Sequence, residues 1–252
     1  MSSLRFFAAL SSDAVIIAAV FAAIFLAAVI LFAVYLHKEG KKRREIEHYG
    51  DRAEAAVSEY LSRSFPDSAV FHNVYLKTPH GLTQIDHILV CRWGIYVIET
   101  KSHNGLIITG TKEWTQKYKD KTIRFFTPLR QNGIHCDAVR AALEGTPYSS
   151  QRVNGVVVFT SKNVRFAGST EGVIRLDQLN DYVKTGIDAD PADKKRRVAP
   201  ITSRARRKYL DKSAVKEISS IIRKHSEKSR VKQRLHRERV RDYGIYKRRR
   251  RL

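Results

Sequence analysis

The chain has 252 residues and carries 47 Lys+Arg against 25 Asp+Glu, a formal net charge of +22. That length fits one domain with appendages, and two cysteines outside any Cys-x-x-Cys pair, Cys91 and Cys136, argue against a disulfide framework. The charge is uneven: Lys194 to Leu252 hold 24 Lys/Arg and 5 Asp/Glu, so +19 of the +22 lies in the tail, which suits a polyanionic partner, nucleic acid or an anionic leaflet.

Residues 1–13 form a short N-terminus ending in Asp13. Ala14 to Leu36 (AVIIAAVFAAIFLAAVILFAVYL) then run without a charge. As a helix this stretch spans about 30 Å or slightly more, the thickness of a bilayer's hydrocarbon core. Lys38, Lys41, Lys42, Arg43 and Arg44 follow in a basic segment, residues 37–48, whereas only Arg5 and the chain amine precede. The positive-inside rule places the N-terminus outside the inner membrane and the rest in the cytoplasm. A cleaved signal peptide would have a shorter apolar region and a cleavage site where the Lys/Arg cluster stands.

A soluble domain is expected over residues 49–185. Glu45 to Ser64 places Ile46, Tyr49, Ala53, Ala56, Val57, Tyr60 and Leu61 at helical spacing, and Pro66 ends the helix. Ala69 to Leu76 reads as a strand and Pro79-His80-Gly81 as a turn. Gln84 to Cys91 and Gly94 to Lys101 form an apolar hairpin through Arg92-Trp93-Gly94, and Ile107-Ile108 begin a further short strand. Arg130 to Leu143 has a helical apolar face, and Val153 to Thr160 reads as a strand covered on both sides. Val173 to Leu176 suggests one more strand and Leu176 to Lys184 a short helix. The order helix, three strands, helix, strand predicts an α/β fold with a mixed central sheet flanked by helices. Residues 186–252 are a basic tail, helical in spacing at Ala214 to Ile222 and otherwise without pattern.

The chemistry concentrates in the hairpin. Glu99 and Lys101 share one strand face, and pairing across the short loop brings Asp86 within reach of Glu99. Two facing carboxylates repel unless a cation lies between them, and Mg²⁺ suits one or two carboxylates with several waters. Lys101 beside them would orient or help deprotonate an attacking water, and the metal would stabilise charge developing on a phosphate. The bland reading of the same three residues is a structural ion pair at a strand end. His87 and His135 read as hydrogen-bonded structural histidines, and Trp93 and Trp114 as packing residues.

Around these residues, Thr83-Gln84-Ile85-Asp86-His87, Gly94-Ile95-Tyr96-Val97-Ile98-Glu99-Thr100-Lys101, and the downstream Gly105, Gly110 and Trp114 occur in order. Pro128-Leu129-Arg130-Gln131-Asn132 with His135, and Val156-Val157-Val158-Phe159, follow. Together these resemble the nuclease-related (NERD) domain, a branch of the PD-(D/E)XK nuclease superfamily, over about Gly50 to Phe159. The resemblance implies a restriction-endonuclease-like αβββαβ core behind one transmembrane helix. It implies that Asp86 and Glu99 are metal ligands with the Thr100 carbonyl nearby, and that Lys101 is catalytic. Glu54 matches the family's upstream acid, supporting the ligands or a second metal, and Gln131 assists from the flanking helix. Thr127-Pro128 departs from the family's usual Asn-Pro.

The function expected is a membrane-anchored hydrolase, dependent on Mg²⁺ or Mn²⁺, that cleaves phosphodiesters of DNA at the cytoplasmic face. A non-catalytic nucleic-acid-binding module and a membrane-tethered scaffold using its basic tail are the alternatives. For the tail, Arg204 to Lys208 and Lys247 to Arg251, with Tyr243 and Tyr246 interleaved, suit nucleic acid; the same charges suit anionic lipid or plain solvation.

Overall fold

A computed structural model of the chain describes residues 12–185 and 209–249. Residues 1–49 and 50–252 form two compact units. In the first, the described part is the apolar portion of helix α1 (Ser12–Ser64). Its side chains point outward on all sides, with Phe21 68%, Phe25 72% and Leu31 70% exposed. By length and composition α1 is long and apolar enough to cross a membrane. No break separates this stretch from the amphipathic helix expected from Glu45. The helix continues through Gly40 and Gly50, where a Cβ would meet nothing, at an intrinsic cost of about 1 kcal/mol each.

The second unit is built on a five-stranded mixed sheet in the order β1-β2-β3-β7-β9, comprising β1 (Ala69–Thr78), β2 (Gly81–Cys91), β3 (Gly94–Lys101), β7 (Val153–Phe159) and β9 (Val173–Arg175). β1, β2 and β3 are antiparallel neighbours; β3, β7 and β9 are parallel. Strand alternation gives the sheet two buried faces. Val57 and Leu61 of α1 and Phe65 just beyond its end, with Leu179, Tyr182 and Val183 of α3 (Leu179–Thr185), pack on Leu89, Cys91, Tyr96 and Ile98. On the opposite face, α2 (Pro128–Leu143) packs Cys136, Ala138, Val139 and Leu143 on Ile88, Val90, Ile95 and Val97. Both cysteines are buried, and neither forms a disulfide. Gly155 lets α2 approach β7: a Cβ there would stand 2.8 Å from Cys136 Sγ.

Two features go beyond the expected order. Between β3 and α2 lies most of a second sheet, ordered β6-β5-β4-β8, with β4 (Gly105–Ile108), β5 (Glu113–Tyr118), β6 (Lys121–Phe126) and β8 (Val164–Ala167). It is seated by Ile107, Trp114 and Val164 against Phe159 and Val157 of the main sheet. The charge-rich tail also returns to the fold. α4 (Lys212–His225) buries Ile218 and Ile222 and, with Leu210, completes the cluster under α2. Its Asp211 N-cap accepts from Ala214 N at 2.7 Å. α5 (Arg230–Arg249) follows. Arg204 to Lys208, and Arg250 and Arg251 of the last basic run, lie outside the described residues, as do the side chains of Tyr243 and Tyr246.

Candidate active site

The β2–β3 ladder ends at the pair His87 and Ile98, and one step beyond it stand Asp86 and Glu99. Asp86 Oδ2 accepts from Thr100 N at 2.8 Å, which fixes the carboxylate against β3. Glu99 is 2% exposed and both its oxygens are engaged: Lys101 Nζ lies 2.5 Å from Oε1 and His135 Nε2 lies 3.2 Å from Oε2. Lys101 Nζ also donates to Gln131 Oε1 at 3.4 Å. Gln131 and His135 are one helical turn apart, so α2 presents both to the end of β3. Thr83 Oγ1 bonds His135 Nδ1 at 2.8 Å and sets the ring. Pro128 starts α2 and Thr127 gives it no side-chain cap; Thr127 is held instead through its backbone N–H to Lys112 O at 3.1 Å. Asn132 ties α2 to the sheet by donating to Val97 O and Val156 O, each at 3.1 Å.

Electrostatics separates the two ligand candidates. Burial, then the charges of Glu99 and Glu54, push the Asp86 carboxyl up to about 8, against the opposing bond from Thr100. Burial also works against the Glu99 carboxylate, but Lys101 and His135 together outweigh it and hold the group below its ordinary range. Glu54 is raised by burial and by Asp51 and Glu99, while Lys101 and a hydrogen bond from Asn73 oppose the rise. Glu54, Asp86 and Glu99 are therefore one interacting cluster, with Lys101 as its cation.

Asn73 reaches Glu54 from an unusual backbone position, φ 52°, a left-handed conformation that asparagine tolerates. It is the last link of a chain of bonds. Arg237 Nη1 donates to Tyr75 Oη (3.0 Å), Tyr75 Oη to Gln84 Oε1 (2.9 Å), and Gln84 Nε2 to Asn73 Oδ1 (2.9 Å). Every donor points toward Glu54. α5 is pinned at the start of this chain: Glu227 N donates to Tyr75 O at 2.8 Å, and His236 meets the Tyr75 ring edge-on.

The expected site residues thus stand together: Asp86, Glu99, Thr100, Lys101, Gln131 and Glu54. Reading the chain alone misses the role of His135, which is both structural and in direct contact with Glu99; its spacing of four from Gln131 was the available signal. Tyr75, Gln84 and Asn73 left no such signal, because the left-handed turn that aligns them is a tertiary feature. His87 stays outside the cluster. It shares a 2.9 Å Nδ1–Nδ1 contact with His72, and burial, then the His72 charge, lower it to about 3. Trp114 is buried packing, and Trp93 stands edge-on to Phe65.

Two carboxylates and a lysine at adjoining strand ends of a mixed sheet flanked by helices are consistent with a restriction-endonuclease-like fold. Residues 49–160 match the model of the nuclease-related domain family, NERD. It is 35% identical over 120 residues to an uncharacterised protein of Bacillus anthracis, a match that covers 46% of this chain and 57% of that protein. The chain thus spans little more than half the length of this relative. No solved structure matches it.

Proposed function

We propose that the protein is a membrane-anchored nuclease that hydrolyses phosphodiester bonds of DNA with Mg²⁺ or Mn²⁺. The observation that carries this reading is Lys101, whose ammonium bridges Glu99 and Gln131 beside a second carboxylate, Asp86, that is energetically penalised without a cation. Among the described residues no three His, Cys, Asp or Glu side chains group tightly enough to hold a metal alone. Asp86 and Glu99, two oxygen donors at adjoining strand ends, suit a hard ion that takes one or two carboxylates and keeps its waters. Asp86 and Glu99 would hold the ion, with the Thr100 carbonyl and Glu54 at its margin. When bound, it supplies charge neutralisation at the phosphate and a more acidic water. Lys101 orients the attacking water and balances charge at the scissile phosphate, Gln131 positions Lys101, and His135 holds Glu99 in place.

The uncovered apolar helix supports an anchor, with the N-terminus outside and the domain at the cytoplasmic face of the inner membrane. α5 adds a basic element beside the cluster through Arg237. A non-catalytic binding module is the second reading, favoured by the engagement of both Glu99 oxygens by Lys101 and His135.

The test uses the full chain in detergent with labelled single- and double-stranded DNA and RNA, with Mg²⁺, Mn²⁺ or chelator. Cleavage is expected only with metal, and Asp86→Ala or Lys101→Ala should each slow it by roughly 10²-fold or more. Salt-sensitive binding without any cleavage, unchanged by either substitution, would overturn the enzyme in favour of the binding module.

A further inference from the structure

The second sheet holds a concentration of cations that the cleavage chemistry does not use. A groove of about 480 Å³ is lined by Gly105, Lys117, Tyr118, Lys119, Lys162, Asn163, Val164 and Arg165. Lys117, Lys119, Lys162 and Arg165 are exposed, and none forms an ion pair among the described residues. Asp120 adjoins Lys119 in the β5–β6 turn without pairing to any of the four. Four unpaired cations around one concavity repel each other, and an anion seated there relieves the repulsion. The floor is close backbone packing: at Gly105, φ 75°, a Cβ would stand 2.5 Å from Lys117 O. The Tyr118 ring forms one wall, with Lys119 Nζ 5.6 Å from its centroid.

The groove also lies close to the cleavage residues. Gly105 follows Lys101 by four residues, which caps their separation at about 14 Å. Lys162 follows Phe159, the β7 partner of Lys101, by three residues, a cap of about 11 Å. Duplex phosphates advance about 3.4 Å of axis per nucleotide on each strand, so the groove is within a few nucleotides of Lys101.

We infer that this groove binds backbone phosphates of the nucleic acid strand that enters the Asp86/Glu99/Lys101 site, flanking the position of cleavage. The inference rests on the nucleic-acid reading above. Contacts to phosphates fix register without reading sequence, so the groove sets where the strand lies rather than which bases it carries.

The test measures anisotropy of fluorescein-labelled DNA duplex against the full chain in detergent and chelator, over a salt series. The groove variant is Lys117→Gln/Lys162→Gln/Arg165→Gln. A control, Lys247→Gln/Arg248→Gln/Arg249→Gln, removes the same charge from the chain's end. The groove variant should bind roughly ten-fold more weakly, and its log K against log salt slope should be shallower by about 0.9 for each phosphate it no longer neutralises. Lys162→Gln alone, in the β7–β8 loop, should show a smaller loss in the same direction and serves if the triple variant misfolds. A wild-type slope in the groove variant, or an equal loss in the control, overturns the inference. Unchanged DNA binding with a lost anisotropy response of fluorescent short-chain phosphatidylglycerol also overturns it, and would assign the groove to lipid. A groove variant with normal binding beside a Lys101→Ala variant that cannot cleave sinks this inference alone. Groove-dependent binding in a protein that never cleaves sinks the enzyme alone.

Discussion

Asp86 and Glu99 are both buried carboxylates, yet their neighbours treat them in opposite ways. Glu99 has Lys101 and His135, whereas Asp86 has one backbone N–H and two anionic neighbours. Because the folded-state pKa of Asp86 lies near 8, above its ordinary 3.8, the folded protein holds the proton more tightly than the unfolded chain. Stability of the metal-free protein therefore falls as pH rises from about 4 to about 8. Asp86→Asn should remove that fall and raise stability near pH 8 by about 5 kcal/mol, with no gain at pH 4. Thermal melts in chelator across this range check it, and identical slopes for both proteins would refute the account. Mg²⁺ should stabilise wild type at pH 8 and leave the Asn variant nearly unmoved. At this scale the sequence was informative where alternation decides: Glu99 and Lys101 share a face because they stand two positions apart, with only Thr100 between them. It was silent where the partner comes from elsewhere, as with His135 on α2, or Asn73 reaching Glu54 through a left-handed φ.

Elements with strong periodicity were legible and those with mixed composition were not. β3 and β7 are buried on both faces and read as apolar runs, so their bounds follow closely from the chain. β5 (EWTQKY) and β6 (KTIRFF) bury one face at most, and their outward Lys, Thr and Arg erase the signal. The N-terminal half of α4 shows its stripe, yet nothing in composition says that the stripe docks under α2 after a long basic stretch. Ile222 is fully buried there, so Ile222→Ala should cost about 3 kcal/mol, read as a lowered urea midpoint. Val231→Ala on α5, at a residue 68% exposed, should change stability by no more than about 0.5 kcal/mol. Equal effects from the two would mean that α4 is not part of the core.

For the whole molecule, composition separates an apolar first segment, a balanced middle and a basic end, but packing groups them differently. α1 carries both the apolar stretch and the residues that close one side of the sheet. Deleting Ala14 to Leu36 should release the protein from vesicles in flotation, while Lys/Arg substitutions in the tail should not. Persistence of the deleted form in the floating fraction would argue for the tail as anchor. The return of α4 also has a consequence in time. Synthesis delivers the sheet and α2 before Leu210, Ile218 and Ile222, so the α2 side of the core stays open to water until α4 has been made. A chain cut short before α4 therefore displays an unfinished apolar face beside Asp86, Glu99 and Lys101 already in place.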